Sequence, residues 1–227
     1  MAYMLSTPFY AADFELLNGG SDVDGGRPFF GWRGSEPVTD TSTIPTQARQ
    51  LDKKKVADFF VEDQVVIVSQ KFKDCVEAVE PDTHQFFPIE LQNKDGVPYE
   101  AKYFVLHVTQ HVPCFDRFET DMFAANKSRK GRPYFTASFA GAGGVICMQA
   151  VGKRQMFSGD DLSGVALLVS DQLHAKFEKA KLFGDAFDGS TVREIDKDWI
   201  LEEQRPEWVE WVKNHPEEDK FRNFKRL

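Results

Sequence analysis

Two segments about a hundred residues apart repeat one hydrophobic pattern. Val65-Val66-Ile67-Val68-Ser69 runs into Gln70-Lys71-Phe72, and Val165-Ala166-Leu167-Leu168-Val169-Ser170 runs into Asp171-Gln172-Leu173. In each, a short apolar run ends at a serine and helical spacing follows at once, which predicts a strand entering a helix through a Ser N-cap. The first helix is expected over about Gln70–Val79, with Phe72, Cys75, Val76 and Val79 on one buried face. The second carries a thinner stripe of Leu173, Phe177 and Ala180. A further strand is expected after each helix, in His84–Leu91 and in Ser190–Ile195. We read this as a duplicated strand-Ser-helix-strand unit. The alternative is two unrelated strand-to-helix junctions, and the test is whether both segments form these elements in the same order.

Between and around the two copies the pattern is that of strands. Asn93-Lys94-Asp95-Gly96 has the chemistry of a tight turn, with Asp-Gly supplying its positive-φ positions, and predicts a hairpin of Phe86–Gln92 with Tyr99–Thr109. Both faces of the second arm are apolar, so that strand is expected in the middle of its sheet, and Pro98 stands near its start, where a missing donor does least harm. A second hairpin is expected between residues 134–139 and 145–151 around Gly141-Ala142-Gly143-Gly144, and Asn126–Arg132 reads as a basic turn. Residues 1–18 read as an opening strand, and the lysine run Lys53-Lys54-Lys55 as a solvated face. Together these elements give an α+β fold, mainly an antiparallel sheet of hairpins with a few helices. We expect one domain over residues 1–195 and an acidic helical tail over 196–227, where Pro206 starts a helix holding Trp208, Val209, Trp211 and Val212.

Composition narrows the function classes. A net charge of -8 disfavours nucleic acid as a partner, because phosphate binding draws on clustered Lys and Arg, and it favours a basic protein. No apolar run is long enough to cross a bilayer, and the first residues lack a signal peptide's basic and apolar regions, so the expectation is a cytoplasmic protein with no membrane partner. Cys75, Cys114 and Cys147 are widely spaced and are expected to be reduced. His107 and His111 followed by Cys114 have zinc-ligand types, but H-x3-H is a helical spacing and this stretch reads as strand and loop, so no metal is expected. Gly19–Gly26 lacks the third oxygen ligand and closing glutamate of a calcium loop, and the Gly141–Gly144 run leads to a strand instead of a capped helix, so both read as turns. Phe29, Phe30 and Trp32 read as anchors for the first of these loops. With no nucleophile elbow, metalloprotease helix or phosphate-binding loop in the chain, neither catalytic residues nor a cofactor is expected.

The segments, taken in order, are similar to a known family. Gly25-Gly26-Arg27-Pro28-Phe29-Phe30-Gly31-Trp32, Asp58-Phe59, Val66–Phe72, Gln85–Leu91, Tyr103–Val108, Leu168–Leu173 and Leu182-Phe183-Gly184 resemble the immunity protein eleven family of bacterial polymorphic toxin systems over roughly residues 25–195. The resemblance implies a cytoplasmic α+β protein that binds and neutralises a cognate toxin domain without catalysis. Other readings are a small enzyme that reverses toxin chemistry and a general protein-interaction module. Residues 196–227 depart from the family pattern. There Trp208 and Trp211 can share a helix face, ringed by Glu202, Glu203, Glu207 and Glu210, the aromatic centre and charged rim of a toxin-binding surface. The competing use of the two tryptophans is to dock the helix on the core.

Overall fold

The computed structural model describes residues 2–5, 12–18, 36–62, 65–112, 114–115, 122–127, 133–137, 145–159, 167–182 and 191–196, with the backbone alone for 18, 122–127, 133–137 and 191. Along the chain come β1 (Ala2–Leu5), β2 (Phe14–Asn18), β3 (Gln47–Gln50), β4 (Phe59–Glu62), β5 (Val65–Ser69), α1 (Gln70–Glu77), β6 (Gln85–Gln92) and β7 (Tyr103–His107). Then follow β8 (His111–Val112), β9 (Met122–Lys127), β10 (Pro133–Ala137), β11 (Val145–Cys147) and α2 (Met148–Val151). The described part ends with β12 (Met156–Gly159), β13 (Leu167–Ser170), α3 (Asp171–Lys179) and β14 (Thr191–Ile195). The fold is α+β, with two six-stranded mixed sheets ordered β2-β3-β6-β7-β5-β4 and β11-β14-β1-β13-β12-β8, a β9-β10 pair, and short helices.

Both serine-led segments form a strand followed by a helix. Ser69 Oγ accepts from Phe72 N–H and Ser170 Oγ accepts from Leu173 N–H, each at 3.2 Å, so both caps satisfy a donor that the first helical turn would otherwise leave open. The likeness extends to what holds the serines. Ser69 Oγ donates to Asp58 at 2.6 Å and Ser170 Oγ donates to Gln155 Oε1 at 2.5 Å, and the backbone carbonyls of the same two residues accept from the serine N–H groups.

The strand pairings match as well. β5 pairs antiparallel with β7, β7 antiparallel with β6, and β6 parallel with β3; β13 pairs antiparallel with β1, β1 antiparallel with β14, and β14 parallel with β11. Ser69 lies opposite Tyr103 and Ser170 opposite Ala2, so β1 takes in the second unit the place of β7 in the first. The second unit is therefore circularly permuted: its middle strand is the first element of the chain, whereas β7 follows β6 through a hairpin.

That hairpin forms where expected. Gly96 takes the positive φ of 81°, and the Asn93 carboxamide oxygen accepts from Asp95 and Val97 N–H, each at 2.9 Å. Asp95 is not among the described residues with positive φ; Asn93 closes the turn through its side chain instead. β7 lies between β5 and β6, as its two apolar faces require.

The alternating faces make three cores. Ile67, Val105, Ile89, Leu91, Tyr103 and Phe60 fill the inside of the first sheet. Its outer strands approach each other where Phe14 stacks on Phe60, ring centroids 4.8 Å apart, and donates its N–H to the Glu62 carboxylate, so the sheet curls towards a barrel. Leu168, Phe157, Val192, Ala2 and Ile146 fill the corresponding space in the second. The third core is shared: Val66, Val68, Phe72 and Val76 from one unit meet Leu5, Leu167, Val169, Leu173 and Phe177 from the other. Phe72 and Phe177 stack with centroids 4.7 Å apart, and both are 0% exposed. Burying each contributes about 2–3 kcal/mol.

Further expectations are corrected. Asn126 and Lys127, read as the start of a basic turn, are the last residues of β9. Residues 134–139 and 145–151 are not arms of one hairpin: β10 pairs with β9, β11 pairs in parallel with β14, and Met148–Val151 is a helical turn. An apolar strand gives no hint of its partner, and proximity to the Gly run suggested the wrong one. The opening segment is two strands, β1 and β2, placed in different sheets. Gly19–Gly26, Phe29, Phe30, Trp32, Gly141–Gly144 and the 197–227 part of the tail lie outside the described residues.

Because the caps are equivalent, Ser69→Ala and Ser170→Ala should each lower stability by about 1–2 kcal/mol. Urea unfolding monitored by circular dichroism measures both losses.

Candidate functional site

The densest polar arrangement among the described residues is at the junction of the two units, built around Glu80. α1 ends at Glu77 with Ala78 as its C-cap, and the chain turns through Asp82, whose φ is 57°. This turn sets the Glu80 carboxylate against the start of β12. Oε1 accepts from Gln155 N–H at 2.7 Å and from Gln110 Nε2 at 3.1 Å. Oε2 accepts from Met156 N–H at 2.9 Å and meets His84 Nε2 at 3.3 Å. His84 Nδ1 accepts from Thr109 N–H at 3.4 Å, which assigns the Nε2–H tautomer and makes the ring the donor to Glu80. Gln155 carries the connection onward, since its Oε1 receives the Ser170 hydroxyl. One network thus joins the turn after α1 to the cap of α3.

The electrostatics follow from these contacts. Burial pushes the Glu80 carboxyl up, but hydrogen bonds from His84, Gln155 N–H and Gln110 outweigh it and hold the group below its ordinary range. The four donors occupy both oxygens, and the His84 side chain is 0% exposed. A general acid or base needs a lone pair or proton that a substrate can reach. Here both are committed to the fold, so what the arrangement does is fix β12 and the α3 cap against the first unit.

The residues singled out as zinc-ligand types are dispersed. Burial lowers the pKa of His107, against a hydrogen bond from its Nε2 to the Glu36 carbonyl at 3.0 Å. His111 opens β8 opposite Ser158, and Cys114 is buried in the core of the second sheet, which closes into a barrel where Phe115, beyond β8, bridges Ile146 of β11. Among the described residues no three His, Cys, Asp or Glu side chains converge as metal ligands. Lys54 reaches Asp13 at 3.4 Å and Asp52 at 3.2 Å on the surface. Trp208, Trp211, Glu202, Glu203, Glu207 and Glu210 lie outside the described residues. Among those described, no helix is long and apolar enough to cross a membrane.

Helices α1 and α3 also carry matched side-chain contacts. Lys73 on α1 sits over Phe86 and Phe104, 5.2 and 5.8 Å from the ring centroids, and pairs with Glu77. At the equivalent positions on α3, His174 stacks on Tyr3 at 3.7 Å and its Nδ1 lies 3.9 Å from Glu178. Neither feature nor the Glu80 junction was visible in the sequence. Glu80 and His84 are four apart across Pro81, and nothing in that spacing points to β12, which supplies two of the donors.

Residues 26–191 match the family model described as the immunity protein family (Imm11). The chain belongs to the immunity protein family. No curated protein matches it. The matched span holds the first unit from β3 to β7, the Glu80 junction and the second unit as far as the first residue of β14, while β1 and the tail lie outside it. Membership makes this chain an immunity protein, whose partner is a cognate toxin.

Glu80 has a depressed pKa when folded, so its contribution is present above the ordinary carboxyl pKa and lost as pH falls through the folded value. Glu80→Gln should lower stability by about 2–3 kcal/mol at neutral pH, because Gln155 or Met156 N–H loses its acceptor. The difference from wild type should shrink on acidification below about pH 4, as read by urea titrations across pH.

Proposed function

We infer that the chain acts in the cytoplasm by binding one cognate toxin domain stoichiometrically and covering its active site. Membership of the immunity protein family over residues 26–191 carries this reading. Two observations support a binder over an enzyme. The net charge of -8 suits a basic partner, and complementary charge speeds association and favours the right partner. The buried carboxylate and histidine at the junction are saturated by internal hydrogen bonds, which is how groups that support a scaffold behave. The contact is assigned to the tail: Trp208 and Trp211 form its aromatic centre, and Glu202, Glu203, Glu207 and Glu210 its charged rim.

The test is co-purification with the product of the adjacent gene, followed by calorimetric titration. The expected result is a complex of equal stoichiometry in which toxin activity falls linearly to zero at one equivalent; protection by a small fraction of an equivalent would mark an enzyme instead. Trp208→Ala with Trp211→Ala should weaken binding at least about thirtyfold, the equivalent of about 2 kcal/mol, while leaving thermal stability unchanged. Joint loss of stability and affinity would return the tryptophans to core docking, and unchanged affinity after truncation at Ile195 would remove the tail from the interface.

A further inference from the structure

The second barrel closes at a seam where the chain leaving β8 meets β11. Phe115 and Ile146 form an antiparallel bridge there, and Cys147 N–H donates to the Cys114 carbonyl at 2.8 Å. The residue pair next to that bridge is Cys114 and Cys147, which share this one backbone hydrogen bond while Cys114 N–H turns back to the Val112 carbonyl at 2.9 Å. Both residues carry thiols and both are 0% exposed. The first unit has an equivalent place. Ala48 on β3 and Ile146 on β11 are equivalent through their parallel pairing with β6 and β14. The neighbouring cross-strand pair in the first unit is Glu15 opposite Arg49, two exposed residues of opposite charge. The second unit places two buried cysteines there.

We propose that Cys114 and Cys147 are a disulfide-forming pair that locks the seam of the second barrel on oxidation. Directly opposed residues of an antiparallel ladder stand about 4.5–5.5 Å apart, inside the span of about 4.4–6.8 Å that a disulfide bridges. With a peroxide as oxidant, one sulfur is oxidised to a sulfenic acid with release of one water, and attack by the other sulfur expels the second water as the S–S bond forms. Two thiols and one hydrogen peroxide thus give one disulfide and two waters, the two electrons passing to the cleaved O–O bond. Cys75 belongs to another place, on α1 with its sulfur 4.0 Å from the Lys176 carbonyl. Because both thiols are buried, the reaction waits on opening of the seam, so its rate reports that opening. Once formed, the bond closes a loop containing β9 and β10 and restrains the unfolded chain.

The experiment uses the full chain carrying Cys75→Ser. It is incubated with hydrogen peroxide, alkylated and digested without reduction; a parallel sample contains urea below the unfolding transition, so that slow opening cannot account for a missing bond. The expected product is a linked peptide pair containing residues 114 and 147, lighter by two hydrogens than the separate peptides. Its formation should raise the thermal midpoint by roughly 10 °C, reversed by a reductant. Alkylation or over-oxidation of both cysteines in both samples, or bonds only between separate chains, would overturn the proposal. So would a Cys75 linkage to either residue as the main product in the wild-type protein.

Discussion

The structure depends on one contact, the packing of α1 and α3 over a core that neither unit completes alone. Phe72 in the first turn of α1 stacks on Phe177 in the last turn of α3, and Cys75 meets the backbone at Lys176, its own equivalent. Contact between equivalent positions is what a two-fold relation produces, as in a symmetric dimer interface. Here both halves lie on one chain. Each sheet keeps an inner core, but Val66, Val68, Leu5, Leu167 and Val169 are covered only because the helices and sheets of the two units meet. Large aromatic and aliphatic side chains dominate that meeting, and apolar burial is the main favourable term in such association.

Two features then fix how the units sit. β1 is hydrogen-bonded on both sides within the second sheet, and the next strand of the chain, β2, belongs to the first sheet, so the chain passes from one unit to the other before either sheet is complete. Glu80 adds a directional tie, since its carboxylate accepts backbone N–H groups from the start of β12. Hydrophobic packing tolerates small sliding, whereas hydrogen bonds to an ionised group specify position. The two units are thereby held in one fixed arrangement.

Much of this was legible in the residues. Ser69 and Ser170 announced equivalent junctions because a cap needs a hydroxyl at one position, and Asp95-Gly96 announced a hairpin because few residues accept its backbone, although only Gly96 takes the positive φ. What was not legible is pairing between distant segments. The place of β1 in the second sheet depends on a permuted order that a four-residue strand cannot encode, and β11 gave no sign that its partner was β14 and not β10. The Glu80 junction was hidden for the same reason, because two of its four donors are backbone N–H groups, which carry no residue signature.

The account stands on the shared core, and a double-mutant cycle across it is the most direct measurement. Phe72→Leu, Phe177→Leu and the double variant keep an apolar side chain at each site, and urea unfolding gives the three stability losses. The account predicts that the double variant loses less than the sum of the singles, by about 1 kcal/mol, because the stack between the two rings is counted in each. Additivity within about 0.3 kcal/mol would contradict it.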